Sequence, residues 1–163
     1  MLAGNENKKW IYRICRVVYL LYVAGIIYAL FFSERYGRNA RYETMQYNLV
    51  PFEEIQRYIM NLECFTFELF VANIAGNICM FIPFGALLFV WKEKPVTFLN
   101  VTFYSLFLSL SIELIQLVTR VGVFDVDDIL MNTVGGMIGY FVYAIARIAD
   151  RRLQVRARRQ KKL

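Results

Sequence analysis

The chain has 163 residues, 58% of them hydrophobic, and a mean hydropathy of +0.42, which is more apolar than a soluble domain of ordinary composition. Its net charge of +6 does not indicate a nucleic-acid-binding surface. Eight of the nineteen basic residues lie in the last seventeen positions, directly after an apolar segment, which is typical of a basic tail at a membrane surface. There is no histidine, and the three cysteines have no metal-ligand spacing, so we expect neither a metal site nor an intrachain disulfide.

Four long apolar segments predict an all-α membrane protein, a bundle of about four transmembrane helices. The second segment is uncharged, and at about 1.5 Å per residue it would cover the roughly 30 Å hydrocarbon core. A proline suits the first turn of a helix, so Pro95 is expected to begin the third. The four predicted helices cover about residues 10–32, 69–91, 95–119 and 129–146.

The basic residues predict the orientation of the bundle. If the N-terminus is cytoplasmic, fourteen of the nineteen lysines and arginines also lie in the cytoplasm, as the positive-inside rule requires. Residues 1–9 and the basic tail, residues 147–163, are then both cytoplasmic. The protein is expected in the plasma membrane, with membrane lipids as its immediate partners and no nucleic acid.

Residues 33–68 form the longer of the two predicted outer loops. Within it, residues 52–63 have apolar side chains at helical spacing and charged ones on much of the other face. This pattern predicts a short amphipathic helix on the outer membrane interface. An ordinary surface helix of a small outer subdomain would give the same pattern, and the sequence does not distinguish the two.

Polar residues recur at helical spacing inside three of the apolar segments. Such groups are costly within a membrane unless they are satisfied, so a functional site is expected where they converge. The last two helices are joined by a short turn and should be antiparallel neighbours, which brings the polar residues together at the outer end. The predicted ligand-binding residues are Asn73, Asn77, Ser109, Glu113, Gln116, Arg120, Asp125, Asp127, Asp128 and Asn132.

Two further expectations concern this polar end and the packing below it. Arg120 is the basic residue nearest to Glu113 and the aspartates in sequence, so we expect it to offset their mutual repulsion. The Gly135-x-x-x-Gly139 spacing predicts close helix packing rather than a binding function. The asparagines and serines, taken singly, could equally be hydrogen bonds that hold the bundle together.

Four sequence blocks in this order resemble those of the VanZ-like family over residues 48–140. They are Asn48-Leu49-Val50-Pro51-Phe52, Asn73-x-x-Gly76-Asn77-x-x-x-Phe81-x-Pro83-Phe84-Gly85, Ser109-x-x-x-Glu113-x-x-Gln116-x-x-x-Arg120 and Asp125-x-Asp127-Asp128-x-x-x-Asn132-x-x-Gly135-x-x-x-Gly139. The resemblance implies a bacterial membrane protein of a family named for a determinant of low-level teicoplanin resistance. Teicoplanin is a lipoglycopeptide that binds cell-wall precursors outside the membrane. The resemblance carries no biochemical mechanism.

Three functions remain open at this point. The first is binding or remodelling of an amphiphile at the outer leaflet, such as a lipid-linked cell-wall precursor or the lipoglycopeptide itself, with Arg120 binding a phosphate or carboxylate headgroup. The second is an enzyme acting on a lipid-linked cell-wall intermediate, with catalytic candidates Glu113, Asp127 and Asp128 and no cofactor; three carboxylates could alternatively hold a hard divalent cation. The third is a structural or regulatory membrane subunit.

Overall fold

The computed structural model describes residues 3–32, 42–53, 56, 60, 67–91 and 95–160. Most of this part of the chain lies in four long helices, each containing a stretch long and apolar enough to cross a membrane. They are α1 (Ala3–Phe32), α2 (Phe67–Leu87), α3 (Phe98–Thr119) and α4 (Val126–Gln160), and a short 3-10 helix, Leu88–Trp91, follows α2. The predicted all-α membrane bundle is confirmed.

Two helices are longer than their predicted membrane spans. Helix α1 begins at Ala3, and α4 continues through the basic segment as far as Gln160. Residues 147–160 contain neither glycine nor proline and are rich in arginine, which favours the helix, so nothing in the sequence ends α4 at the membrane surface. Most of residues 52–63 lies outside the described residues, and the predicted amphipathic helix therefore stays a prediction.

A two-stranded parallel sheet, which the apolar pattern did not predict, joins the loop between α1 and α2 to the connection between α3 and α4. Strand β1 (Gln46–Asn48) pairs with β2 (Val123–Asp125), with Asn48 opposite Asp125. The backbone amide of Tyr42 also donates a hydrogen bond to the carbonyl of Arg120, at 2.9 Å. The described part of the loop is thus held against the same end of the bundle at which α3 ends and α4 begins.

Helix α4 packs closely against both α2 and α3 through its glycines. A Cβ added to Gly135 would lie 2.2 Å from the carbonyl oxygen of Ile78, and one added to Gly139 would lie 2.2 Å from that of Ile82. On another side of the helix, a Cβ on Gly136 would lie 1.9 Å from the hydroxyl of Ser105 on α3. The packing role predicted for Gly135 and Gly139 is confirmed, since only hydrogen fits between these backbones.

Helix α1 packs against α2 and the 3-10 helix. Its buried side chains, including Tyr19, join an apolar core with Phe84 and Leu88. The Tyr22 hydroxyl donates to the carbonyl of Met80, and the Arg16 Nε donates to the carbonyl of Val90 at 2.9 Å. These contacts attach α1 along one side, so the polar end of the bundle is formed mainly by α2, α3 and α4.

The glycine packing gives a direct test of the helix crossing. Replacing Gly139 by alanine should lower the free energy of unfolding by on the order of 1–3 kcal/mol, because the α2 backbone occupies the space of the new methyl group. Gly25→Ala is the matched control, since no atom lies within 4 Å of its added Cβ and alanine favours the helix. Thermal unfolding of the purified proteins in detergent measures both. Equal unfolding midpoints for the two variants would contradict the close crossing.

Candidate functional site

Four acidic residues, Glu113, Asp125, Asp127 and Asp128, come together where α3 ends and α4 begins, and are called here the acidic cluster. Glu113 lies near the end of α3, Asp125 ends β2, and the other two occupy the first turn of α4. Burial is nearly complete for three of them: Glu113 is 3% exposed, Asp125 5% and Asp127 1%. Buried carboxylates require hydrogen-bond donors, so the contacts of the acidic cluster determine what it can do.

Asp125 connects α3 to α4. Its backbone amide donates to Glu113 Oε2 at 2.9 Å, and its own Oδ1 accepts from the amide of Asp127 at 2.7 Å. The second bond is the N-cap bond of α4, in which a side-chain oxygen satisfies an amide that the helix leaves without a partner. The negative charges in the first turn also favour this end of the helix, where amide dipoles point outward.

Asn48, at the end of β1, belongs to the site; it begins the first block of the family resemblance but was not among the predicted ligand-binding residues. Its Nδ2 donates to Asp125 Oδ2 at 3.1 Å, and its Oδ1 accepts from the amide of Val50 at 3.2 Å. The latter bond closes a local turn at a proline-containing segment. Phe52 follows with a left-handed backbone (φ 64°), and its amide donates to Asp127 Oδ1. The acidic cluster therefore fastens the loop between α1 and α2 to α4.

The predicted polar residues of α2, α3 and α4 also meet in pairs. Asn77 donates to the carboxylate of Asp128, and Asn132 Nδ2 donates to Ser109 Oγ at 2.9 Å. Gln116 Nε2 donates to the carbonyl of Leu30 on α1 at 3.2 Å. Asn73 lies in α2, but its side chain is outside the described part of the structure. Among the described residues, the sequence thus identified most of the side chains that converge at this end.

Arg120 does not take the position expected of it. It forms the C-cap of α3 in a left-handed conformation (φ 59°), and its NH1 donates to the carbonyl of Glu43 in the loop between α1 and α2 at 3.1 Å. The side chain is exposed, and none of its described hydrogen bonds goes to a carboxylate. The expected neutralisation of the acidic cluster by Arg120 is wrong, because the turn at the C-cap directs the guanidinium to the loop.

The protonation of Asp125 is shifted by its surroundings. Burial raises the pKa of this carboxyl above its usual range, and the neighbouring charges of Asp127 and Glu53 raise it further. The hydrogen bonds from the Asp127 amide and from Asn48 lower the pKa without cancelling the effect of burial. Asp125 therefore retains its proton to a higher pH than a free aspartate.

The described residues contain no group of three or more ligand side chains placed to hold a metal ion. Instead, each of the three buried carboxyl groups accepts a hydrogen bond from a backbone amide; these belong to Glu113, Asp125 and Asp127. The divalent cation considered from the sequence has no site in the described part of the molecule. The cluster is arranged as a set of oriented carboxyl groups.

An apolar groove of about 380 Å³ runs between α1 and α3 beside this polar end. Helix α3 contributes Ile112 and Ile115 to it, which lie in the same turn as Glu113 and Gln116. The hydroxyl of Ser111, also in the groove, is occupied by a bond to the carbonyl of Phe107. The other lining residues are Val23, Ile26, Ile27, Phe31 and Leu108.

Known proteins resemble the chain over most of its length. A family model described as VanZ/LLP1 matches residues 18–147. Protein VanZ of Enterococcus faecium is 35% identical over 102 residues, which cover 63% of this chain and 63% of that protein. The alignment therefore spans slightly less than two thirds of that relative. No solved structure matches the chain.

Replacing Asn48 by alanine should release the loop between α1 and α2 from the bundle. The change removes the donor to the buried Asp125 carboxyl, and such a loss costs on the order of 1–3 kcal/mol. Amide hydrogen exchange over residues 46–52 should become faster, and the thermal midpoint should fall. Gln46→Ala is the control, because that side chain is exposed and bonds only to Thr44 among the described contacts. Indistinguishable exchange in the two variants would rule out the fastening role of Asn48.

Proposed function

We propose that this chain, which belongs to the VanZ/LLP1 family, binds an amphiphile of the cell envelope at the outer leaflet. The bound molecule is a lipid-linked cell-wall precursor or a lipoglycopeptide of the teicoplanin type. Binding then lowers the susceptibility of the cell to such drugs, either by shielding the precursor or by keeping the drug from anchoring. The positive-inside prediction supports an outer location for the acidic cluster.

The observation that carries the proposal is the meeting of a polar cluster with an apolar groove. Ligand sites are mostly apolar concavities with a few placed polar groups, and an amphiphile needs both kinds of surface side by side. Ile112 and Ile115 line the groove, while Glu113 and Gln116 in the same turn reach the buried polar network. A tail between α1 and α3 would therefore leave its headgroup beside the acidic cluster.

Two kinds of side chain at the site could bind the headgroup, carboxyl groups and a guanidinium. Carboxyl oxygens of the acidic cluster accept hydrogen bonds, so amide, hydroxyl or amino groups of a ligand suit them. Arg120 is exposed at the edge, and a guanidinium carries five N–H donors of which its NH1 uses one for Glu43. This geometry leaves donors for a phosphate or carboxylate, the headgroup role that the sequence suggested.

Apolar side chains of the fastened loop lie beside the same site. Tyr47, Leu49, Val50 and Phe52 are all more than half exposed, although they flank the buried Asn48. Exposed aromatic and aliphatic groups next to a membrane span suit the interface between headgroups and acyl chains. The loop can therefore contact the apolar part of a ligand that is still partly in the bilayer.

The test is made in a strain whose tolerance of a teicoplanin-type glycopeptide depends on this protein. Glu113→Gln removes a charge but keeps an oxygen that can accept from Asp125, and Arg120→Ala removes the exposed donor. Each should return tolerance close to that of cells lacking the protein, at normal protein abundance. Val23→Trp should do the same by filling the groove, whereas Val17→Trp on an exposed face of α1 should be tolerated.

Several outcomes would contradict the proposal. Unchanged tolerance in Glu113→Gln and Arg120→Ala at normal abundance would exclude a ligand at the cluster. A loss of tolerance that only follows a loss of protein, together with lower thermal stability in Glu113→Gln and Asn132→Ala, would instead indicate a structural subunit. Accessibility labelling that found position 120 on the cytoplasmic side would exclude an outer-leaflet site.

The protonation of Asp125 favours a second candidate, an enzyme acting on a lipid-linked cell-wall intermediate. Burial raises the pKa of the Asp125 carboxyl, and a carboxyl group that keeps its proton in this way can serve as a general acid. Purified protein would then convert a labelled lipid precursor, and Glu113→Gln would abolish the product while still binding the precursor. Absence of any product from the active, resistance-conferring protein would exclude this candidate.

A further inference from the structure

A second groove, of about 550 Å³, lies far from the acidic cluster. It is formed by α1, the end of α2 with its 3-10 helix, and the second half of α4. Twenty residues of α4 separate Asp127 from Arg147, which lines this groove, and at about 1.5 Å per residue they span about 30 Å. The two sites are therefore about one hydrocarbon thickness apart, at opposite membrane surfaces.

The wall of this groove changes from apolar to cationic along α4. Phe89 stacks on Tyr143 with ring centroids 5.1 Å apart, and Tyr12 meets Phe89 edge-on at 6.0 Å. One turn further along α4, Arg147 is half-buried in the lining, and Arg151 follows four residues later on the same side. The groove thus combines an aromatic wall with two guanidinium groups at its polar end.

The surrounding charges favour an anion. Asp150 is the acidic residue of the lining, and its Oδ2 accepts from Gln154 Nε2 at 2.7 Å within the same groove. On α1, Arg13 lies over the ring of Trp10 and Arg16 over that of Trp91, each 5.5 Å from the centroid. Among the described side chains, cationic groups from both helices therefore outnumber the carboxylate of Asp150 at this end.

We propose that this groove binds an anionic phospholipid from the leaflet in which it lies. The phosphate sits between Arg147 and Arg151, since guanidinium groups bind phosphate oxygens through paired N–H donors. One acyl chain lies along Ala146 and the Phe89–Tyr143 wall and fills the apolar part of the groove. The proposal is independent of the amphiphile site at the other end and of the orientation of the bundle.

Intrinsic fluorescence reports on lipid near this groove. The chain has two tryptophans, Trp10 and Trp91, and both lie at the end of the bundle that holds the groove, stacked against Arg13 and Arg16. The protein is reconstituted into vesicles of phosphatidylcholine with increasing phosphatidylglycerol, in which one lipid at a time carries bromine on its acyl chains. Brominated phosphatidylglycerol should quench the tryptophan fluorescence more strongly than brominated phosphatidylcholine at equal mole fraction. The expected preference for phosphatidylglycerol is roughly fivefold for each arginine that binds it.

Two pairs of variants identify the source of the preference. Arg147→Gln with Arg151→Gln should bring the quenching ratio close to one. Arg156→Gln with Arg159→Gln removes the same charge from the same helix beyond the groove and should leave most of the preference. An equal loss in both pairs, or no preference in the unaltered protein, would overturn the proposal.

A third variant tests the apolar wall of the groove separately from its charges. Its result holds whether or not the arginine variants fold. Ala146→Phe fills the apolar wall without changing the net charge, and it should lower the preference for phosphatidylglycerol. Thermal unfolding in detergent verifies that the bundle is intact. A full preference in Ala146→Phe would place the lipid outside the groove and so refute the assigned site.

Discussion

The hydrogen bond from the Asp125 amide to the buried Glu113 carboxylate joins α3 to the start of α4 at the polar end of the bundle. It holds β2 beside the end of α3, and Asp125 then caps α4. Asn48 donates to the side chain of the same Asp125 and accepts from the amide of Val50, and these two bonds hold β1 and the turn that follows it. Glu113 and Asp125 are both buried, so water cannot replace this bond, and the position of the loop and the start of α4 both depend on it.

This dependence explains how several acids can be buried together. Each buried carboxyl group of the cluster accepts a hydrogen bond from a backbone amide, and Asp125 also accepts one from the side-chain amide of Asn48. Fixed amide dipoles of this kind stabilise negative charge. The same arrangement leaves oriented carboxyl groups beside an apolar groove, which is why a structural network can also serve as a ligand site.

Much of the molecule could be predicted because its patterns extend over long helices. Apolar segments gave the four membrane helices, and helical spacing brought Asn77, Ser109 and Asn132 to the side chains they contact. The pairing of β1 with β2 involves three residues on each strand, too few for an alternating pattern to be visible. The direction of Arg120 depends on a left-handed C-cap, and an exposed arginine is as compatible with a carbonyl as with a carboxylate.

Helix α4 runs without interruption from the acidic cluster, between the close-packed glycines, to the basic segment. Its 35 residues correspond to about 50 Å, well beyond the roughly 30 Å of the hydrocarbon core. The helix therefore carries the arginines of the basic segment beyond the hydrocarbon core, and their distance from the membrane surface depends on the tilt of α4 at its glycine crossing.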